Sequence, residues 1–129
     1  MKIICGRLTA SLLTCAALAV VVPSGAQAAG AASELTLKRT VGGVSRSASL
    51  SCDPAGGTHR RAQEACALLA SVNGNFKALT PSADAVCPPA GEPVRVSVSG
   101  QWRGKRVFQE ETFANDCEVL RRTGSLFAF

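Results

Sequence analysis

Val94-Arg95-Val96-Ser97-Val98-Ser99 alternates apolar and polar residues without a break. A period of two predicts a strand with one face on a core and the other in solvent. The stretch 99–105 carries two glycines and is expected to turn the chain, so that 106–113 returns as the hairpin partner. Trp102 falls in that turn region and reads as a partly buried anchor. The same alternation recurs upstream. Leu35 and Leu37 alternate with polar neighbours in 33–40, Gly42-Gly43 breaks the run, and 47–52 places Ala48, Leu50 and Cys52 on one face.

Between these strand pairs the period changes. Ala62, Ala65, Cys66, Leu69 and Val72 recur at helical spacing. Thr58 is the expected N-cap, and Asn73-Gly74 ends the helix with Gly74 as a left-handed cap. The stretch 76–86 reads as irregular chain. Asn115 or Asp116 is expected to cap a second, shorter helix through Cys117, Val119 and Leu120 to Gly124. Leu126-Phe127-Ala128-Phe129 looks like a strand-like apolar tail. Strands with two helices and no βαβ rhythm give an α+β fold, an antiparallel sheet with two helices packed on one side.

The N-terminal stretch reads differently. Lys2 and Arg7 precede an almost wholly apolar run over 8–22, and Ala26-Gln27-Ala28 follows as a small-x-small cleavage site. Residues 1–28 are therefore expected to be a secretory signal peptide, leaving one small domain over residues 29–129. The apolar run is short for a membrane span, which needs about 20 residues. Thr14 is an awkward residue before a lipidated Cys15. Losing Lys2 and Arg7 from the 14 basic residues leaves 12 against 9 acidic, a net charge of +3. That balance is too mild to point to nucleic acid or an anionic membrane. There is no tyrosine, and the Arg60-Arg61 and Arg121-Arg122 pairs are not interleaved with aromatics. A secreted, extracellular protein with no membrane attachment after signal removal is expected.

Cys5 and Cys15 would leave with the signal peptide. Cys52, Cys66, Cys87 and Cys117 remain, an even number that reads as two disulfides in an exported domain. Three pairings are possible, and spacing alone does not choose among them. With no Cys-x-x-Cys and a single histidine, the pattern does not fit structural zinc. No phosphate loop or dinucleotide fingerprint is present, so no metal and no cofactor are expected. His59 stands alone beside Arg60 and Arg61, with no third group to make it a catalytic base. Glu110 and Glu111 are strand neighbours on opposite faces and cannot share a proton. No catalytic residue is assigned, and a binding module is favoured over an enzyme.

The stretch Cys87-Pro88-Pro89-Ala90-Gly91-Glu92-Pro93 supplies a binding mechanism. Proline fixes φ, and Pro89 pushes Pro88 to extended backbone. A stiff, extended, tethered segment loses little entropy on binding. It also looks like a protease substrate, since proteases bind extended peptides. A tethered loop that is cut keeps its ends together, so religation can compete with release.

These residues belong to a wider pattern. Gly57-Thr58-His59, Ala78-Leu79-Thr80, Cys87-Pro88, Glu92-Pro93-Val94, Trp102-Arg103-Gly104-Lys105-Arg106-Val107, Phe113-Ala114-Asn115-Asp116-Cys117-Glu118 and Phe127-Ala128-Phe129 occur in order with four cysteines. The chain resembles the Streptomyces subtilisin inhibitor family of secreted serine protease inhibitors from about Leu35 to Phe129. The resemblance implies the pairings Cys52–Cys66 and Cys87–Cys117, a homodimer formed through the sheet, and one substrate-like reactive loop per subunit. Carried over by position, it implies a scissile bond at Pro89-Ala90. Cys87, Pro88, Gly91 and Glu92 would be its flanking protease contacts, and an extracellular serine protease, subtilisin-like or other, the partner.

Pro89 departs from the family pattern, in which this position often carries Met, Lys or another long side chain. It is short, and it lacks the backbone N–H that bonds to a protease carbonyl. That loss is expected to weaken binding by roughly 1 to 3 kcal/mol. Gly91 adds a flexible residue to a loop that gains from rigidity. The alternative function is an extracellular binding protein on the same scaffold that has lost serine protease inhibition.

Overall fold

Period-two alternation is realised as four strands. The structure is a computed structural model that describes residues 32–129, so the expected signal peptide and its cleavage point lie outside the described residues. Strands β1 (Ser33–Val41) and β2 (Val44–Cys52) form one hairpin, and β3 (Val94–Trp102) and β4 (Lys105–Phe113) form another. The sheet order is β2-β1-β3-β4, with every neighbouring pair antiparallel. The second turn is shorter and later than the sequence implied. Gly100 stays in the ladder opposite Leu35 and Val107, and only Arg103 and Gly104 leave it. Strand partners on both sides outweigh the weak strand preference of a glycine. Both turn residues have positive φ, as the type I′ form of a two-residue hairpin turn requires.

One face of the sheet is the core. Leu35, Leu37, Leu50, Val94, Val96 and Val98 are buried there with Ala65 and Leu69 of α1 (Ala62–Ser71) and Val119 of α2 (Asp116–Thr123). Each such leucine or valine contributes roughly 1.5 to 3 kcal/mol on burial. Both helices therefore pack on the same side, as the α+β reading required. The other face presents Thr36, Lys38, Ser97, Ser99, Phe108 and Glu110, with Phe108 72% exposed. Disulfides Cys52–Cys66 and Cys87–Cys117, each with a Cα separation of 5.6 Å, tie α1 to the end of β2 and α2 to the loop before β3.

Three local expectations are corrected. Thr58 does not cap α1: its hydroxyl accepts the backbone N–H of Ser49 at 2.9 Å, and its own N–H bonds to Ser49 Oγ at 2.9 Å. With that hydroxyl engaged on β2, the chain runs on and α1 starts at Ala62. The C-terminal tail is no strand but a 3-10 turn over Gly124–Phe127. Ser125, Leu126 and Phe127 are all buried, and consecutive burial is incompatible with a one-sided strand, which sends alternate side chains to solvent. Trp102 closes β3 rather than lying in the turn, and it is only 3% exposed. Its ring covers Gly74, where an added Cβ would come within 2.5 Å of Trp102 Cγ. That contact, and a φ of +80°, explain why glycine stands at position 74, where its N–H bonds to Leu69 O at 2.8 Å. The left-handed residue directly after the Val72 cap is Asn73, with a φ of +51°.

Candidate functional site: a braced loop over the start of helix α2

The segment that leads into β3 is held along helix α2 at successive points. The Ser82 N–H donates to Arg121 O at 2.8 Å near the C-terminal end of the helix. Cys87 is bonded to Cys117 in its first turn. From Pro88 to Pro93 every residue is exposed, and Val94 then enters the sheet. The sequence-derived loop residues Cys87, Pro88, Pro89, Ala90, Gly91 and Glu92 are thus brought together as one projecting loop.

Asn115 makes that loop a defined shape. Its side chain is 6% exposed and works in two directions. The carbonyl Oδ1 accepts the Glu118 N–H at 2.9 Å and caps α2, as Ser, Thr, Asp and Asn commonly do at this position. The amide Nδ2 donates to Pro88 O at 2.8 Å and to Ala90 O at 3.2 Å. Both amide hydrogens are therefore used, one on each side of Pro89. The cap fixes the orientation of the amide, because Glu118 N–H needs an acceptor and the two loop carbonyls need donors. The Pro89 carbonyl lies between the two braced ones and takes no part in the brace.

Gly91 is a fitted residue here, not a loose one. A Cβ at this position would lie 2.6 Å from Asn115 Cβ, so only glycine lets the loop backbone close onto the brace. Glu92 reaches the other way, over the β1–β2 turn, where a Cβ on Gly42 would lie 2.5 Å from Glu92 Oε1. The foundation of the loop is itself tied down. Arg39 of β1 pairs with Asp116 at 2.6 Å, and Arg121 pairs with Glu118 at 2.8 Å.

The residues considered for catalysis have structural roles. His59 is 4% exposed. Its Nδ1 accepts the Arg61 N–H at 3.0 Å, and its Nε2 donates to Leu126 O at 2.9 Å. It joins the start of α1 to the C-terminal turn, far in sequence from the loop. Glu110 and Glu111 lie on opposite faces, next to Arg95 at 4.0 Å and Arg122 at 3.9 Å. Among the described residues no group of three His, Cys, Asp or Glu side chains is placed to hold a metal ion, and no helix is long and apolar enough to cross a membrane.

A small sheet-and-helix scaffold whose buried amide and disulfide hold one exposed loop defines a loop-presenting protein. Comparison with known proteins narrows the class. Residues 17–115 match the family described as subtilisin inhibitor-like, and the chain belongs to that family. It is 39% identical over 125 residues to the subtilisin inhibitor of Streptomyces albogriseolus, covering 96% of this chain and 79% of that one. It is 41% identical over 121 residues to subtilisin inhibitor-like protein 4 of Streptomyces lavendulae, covering 93% and 95%. Among solved structures it resembles Streptomyces caespitosus sermetstatin, in complex with Bacillus licheniformis subtilisin. The TM-score is 0.64 and the identity 30%, over 76% of this chain and 99% of that one. The matched family span starts upstream of Ala29, so it does not mark where the leader ends.

Proposed function

We propose that the protein is a secreted inhibitor of serine proteases that binds its target as a slowly cleaved substrate, with Pro89-Ala90 as the scissile bond. The Asn115 brace carries this reading. One buried amide holds the carbonyls of Pro88 and Ala90 and leaves the carbonyl between them for attack.

In the reaction, the protease serine adds to the Pro89 carbonyl carbon and passes its proton to the protease's own base. That base returns the proton to the Ala90 nitrogen as the C–N bond breaks, leaving Pro89 as an ester on the enzyme. Ordinarily the amine product would diffuse away. Here Ala90 stays hydrogen-bonded to Asn115, and Pro88 stays on the same amide and next to the Cys87–Cys117 bond. An amine held against an ester has an effective concentration far above that of a free one, on the order of 10⁵ M or more for well-aligned pairs. Religation therefore outruns release, and the protease remains occupied. A relative named as a subtilisin inhibitor and a structural neighbour solved in complex with subtilisin favour inhibition over binding alone.

Two further elements belong to the proposal. Residues 1–28 act as the signal peptide that exports the chain. The open sheet face around Phe108 is the surface on which two copies pair. An inhibition constant against subtilisin and other serine proteases, with mass spectrometry of the complex, tests the function. Inhibition with any cleavage confined to Pro89-Ala90 is expected, and no inhibition of any serine protease, or inhibition lost as the loop is cut at other bonds, would refute it.

A further inference from the structure

We propose that the target is a serine endopeptidase that cleaves after proline, with a shallow apolar primary pocket shaped to a pyrrolidine ring. The inference rests on the substrate-like reading of the Pro89-Ala90 bond and adds to it the class of partner.

Three features of the loop point the same way. Pro88 belongs to the Cys87-Pro88 pair of the family pattern, whereas Pro89 departs from it and removes the main-chain donor at the specificity position itself. Beyond its carbonyl, what Pro89 offers a protease is the shape of its ring. Pro89 is exposed and rigid, and its ring is too short to reach the floor of a pocket built for Lys, Arg or Met. A deep pocket would be left part-empty, or would hold a buried carboxylate without its cation. A shallow pocket that fits proline loses neither contact nor hydrogen bond, because enzymes that cleave after proline act on substrates that lack this N–H.

The flanks are equally apolar. From Ala85 to Gly91 no side chain is ionisable apart from the disulfide-bonded Cys87. Val86, three residues before Pro89, is 94% exposed, more than the other exposed large hydrophobic residues among those described. It provides a second apolar contact on the same side of the scissile bond. The brace meanwhile remains whole: Asn115 holds Pro88 O and Ala90 O, and Gly91 fits against it. The loop is held in a binding shape around an unusual residue, and that residue sets the specificity.

The test compares the wild-type protein and Pro89→Met against two enzymes, subtilisin and a serine endopeptidase that cleaves after proline and has a cleft open to folded proteins. Pro89 is exposed, so the substitution leaves the fold intact. The wild type is expected to inhibit the post-proline enzyme about 100-fold more tightly than it inhibits subtilisin, and Pro89→Met to reverse that order. Failure of the wild type on the post-proline enzyme, or equal inhibition of both enzymes, overturns the inference. If Pro89→Met still inhibits subtilisin in that case, the substrate-like reading stands. If neither protein inhibits either enzyme, both fall.

Discussion

Replacing Asn115 separates the two tasks of its side chain. Asn115→Asp keeps an oxygen to accept the Glu118 N–H, so the α2 cap survives. It removes both donors to Pro88 O and Ala90 O and sets a carboxylate against two carbonyl oxygens. Each lost hydrogen bond is worth about 0.5 to 1.5 kcal/mol net, so together they correspond to roughly a 5- to 150-fold effect. The inhibition constant for subtilisin should rise by about that factor, and hydrolysis of Pro89-Ala90 should speed up as the cut ends drift apart. The factor should be the same in a Pro89→Met background, because the brace holds main-chain carbonyls and not the specificity side chain. Asn115→Ala loses the cap as well, which adds about 1 kcal/mol of destabilisation. Denaturant unfolding should therefore show Asn115→Ala as less stable than Asn115→Asp. Progress curves with mass spectrometry provide the kinetic readout. An Asn115→Asp protein that inhibits like the wild type and is cut no faster would refute the role assigned to the brace.

The two disulfides should separate by function. Replacing Cys52 and Cys66 with alanine should lower stability by about 3 kcal/mol and leave inhibition of the folded protein unchanged. Replacing Cys87 and Cys117 should lower stability by about 4 kcal/mol and also abolish slow turnover. Denaturant unfolding and cleavage assays at a temperature where both variants are folded distinguish the two. His59→Ala removes one buried and one half-buried hydrogen bond and a ring packed edge-on against Phe129 at 5.6 Å. It should cost about 2 to 5 kcal/mol of stability without changing the inhibition constant of the remaining folded protein. Phe108→Glu, on the open sheet face, should shift a dimer to monomer in sedimentation while leaving the loop intact. An unchanged sedimentation coefficient would place any dimer surface elsewhere.

The sheet was legible because its strands are one-sided. The alternation around Leu35, Leu50 and Val96 marks a face, whereas the pairing of β1 with β3 that joins the two hairpins is a tertiary contact with no signal in the alternation. Helix α1 was legible from its apolar spacing, but its start was not. Thr58 is a good cap by composition, yet Ser49 on a neighbouring strand holds its hydroxyl, and that competition is tertiary. The C-terminal turn was hidden for a similar reason: the burial of Leu126 and Phe127 depends on the core around Phe76, 50 residues earlier.

The loop was visible as a stiff tethered segment, whereas its support was not. Asn115 stood out only as a helix cap. A signal was present, since Asn115 lies two residues before Cys117, and Cys87, its disulfide partner, lies one before Pro88. Given that pairing, the asparagine must sit beside the loop. Gly91 read as a source of flexibility because its contact with Asn115 exists only once the loop is folded over the helix.

The most direct test approaches the Pro89-Ala90 equilibrium from both ends. Intact inhibitor and inhibitor cut at that bond are each incubated with a small amount of the inhibited protease, and the species are followed by intact-mass spectrometry. A braced, tethered loop predicts that both samples converge on one ratio of intact to cut protein, with a single added water placed between residues 89 and 90. Cut protein that never reseals, or intact protein degraded at other bonds while inhibition is lost, would contradict the account.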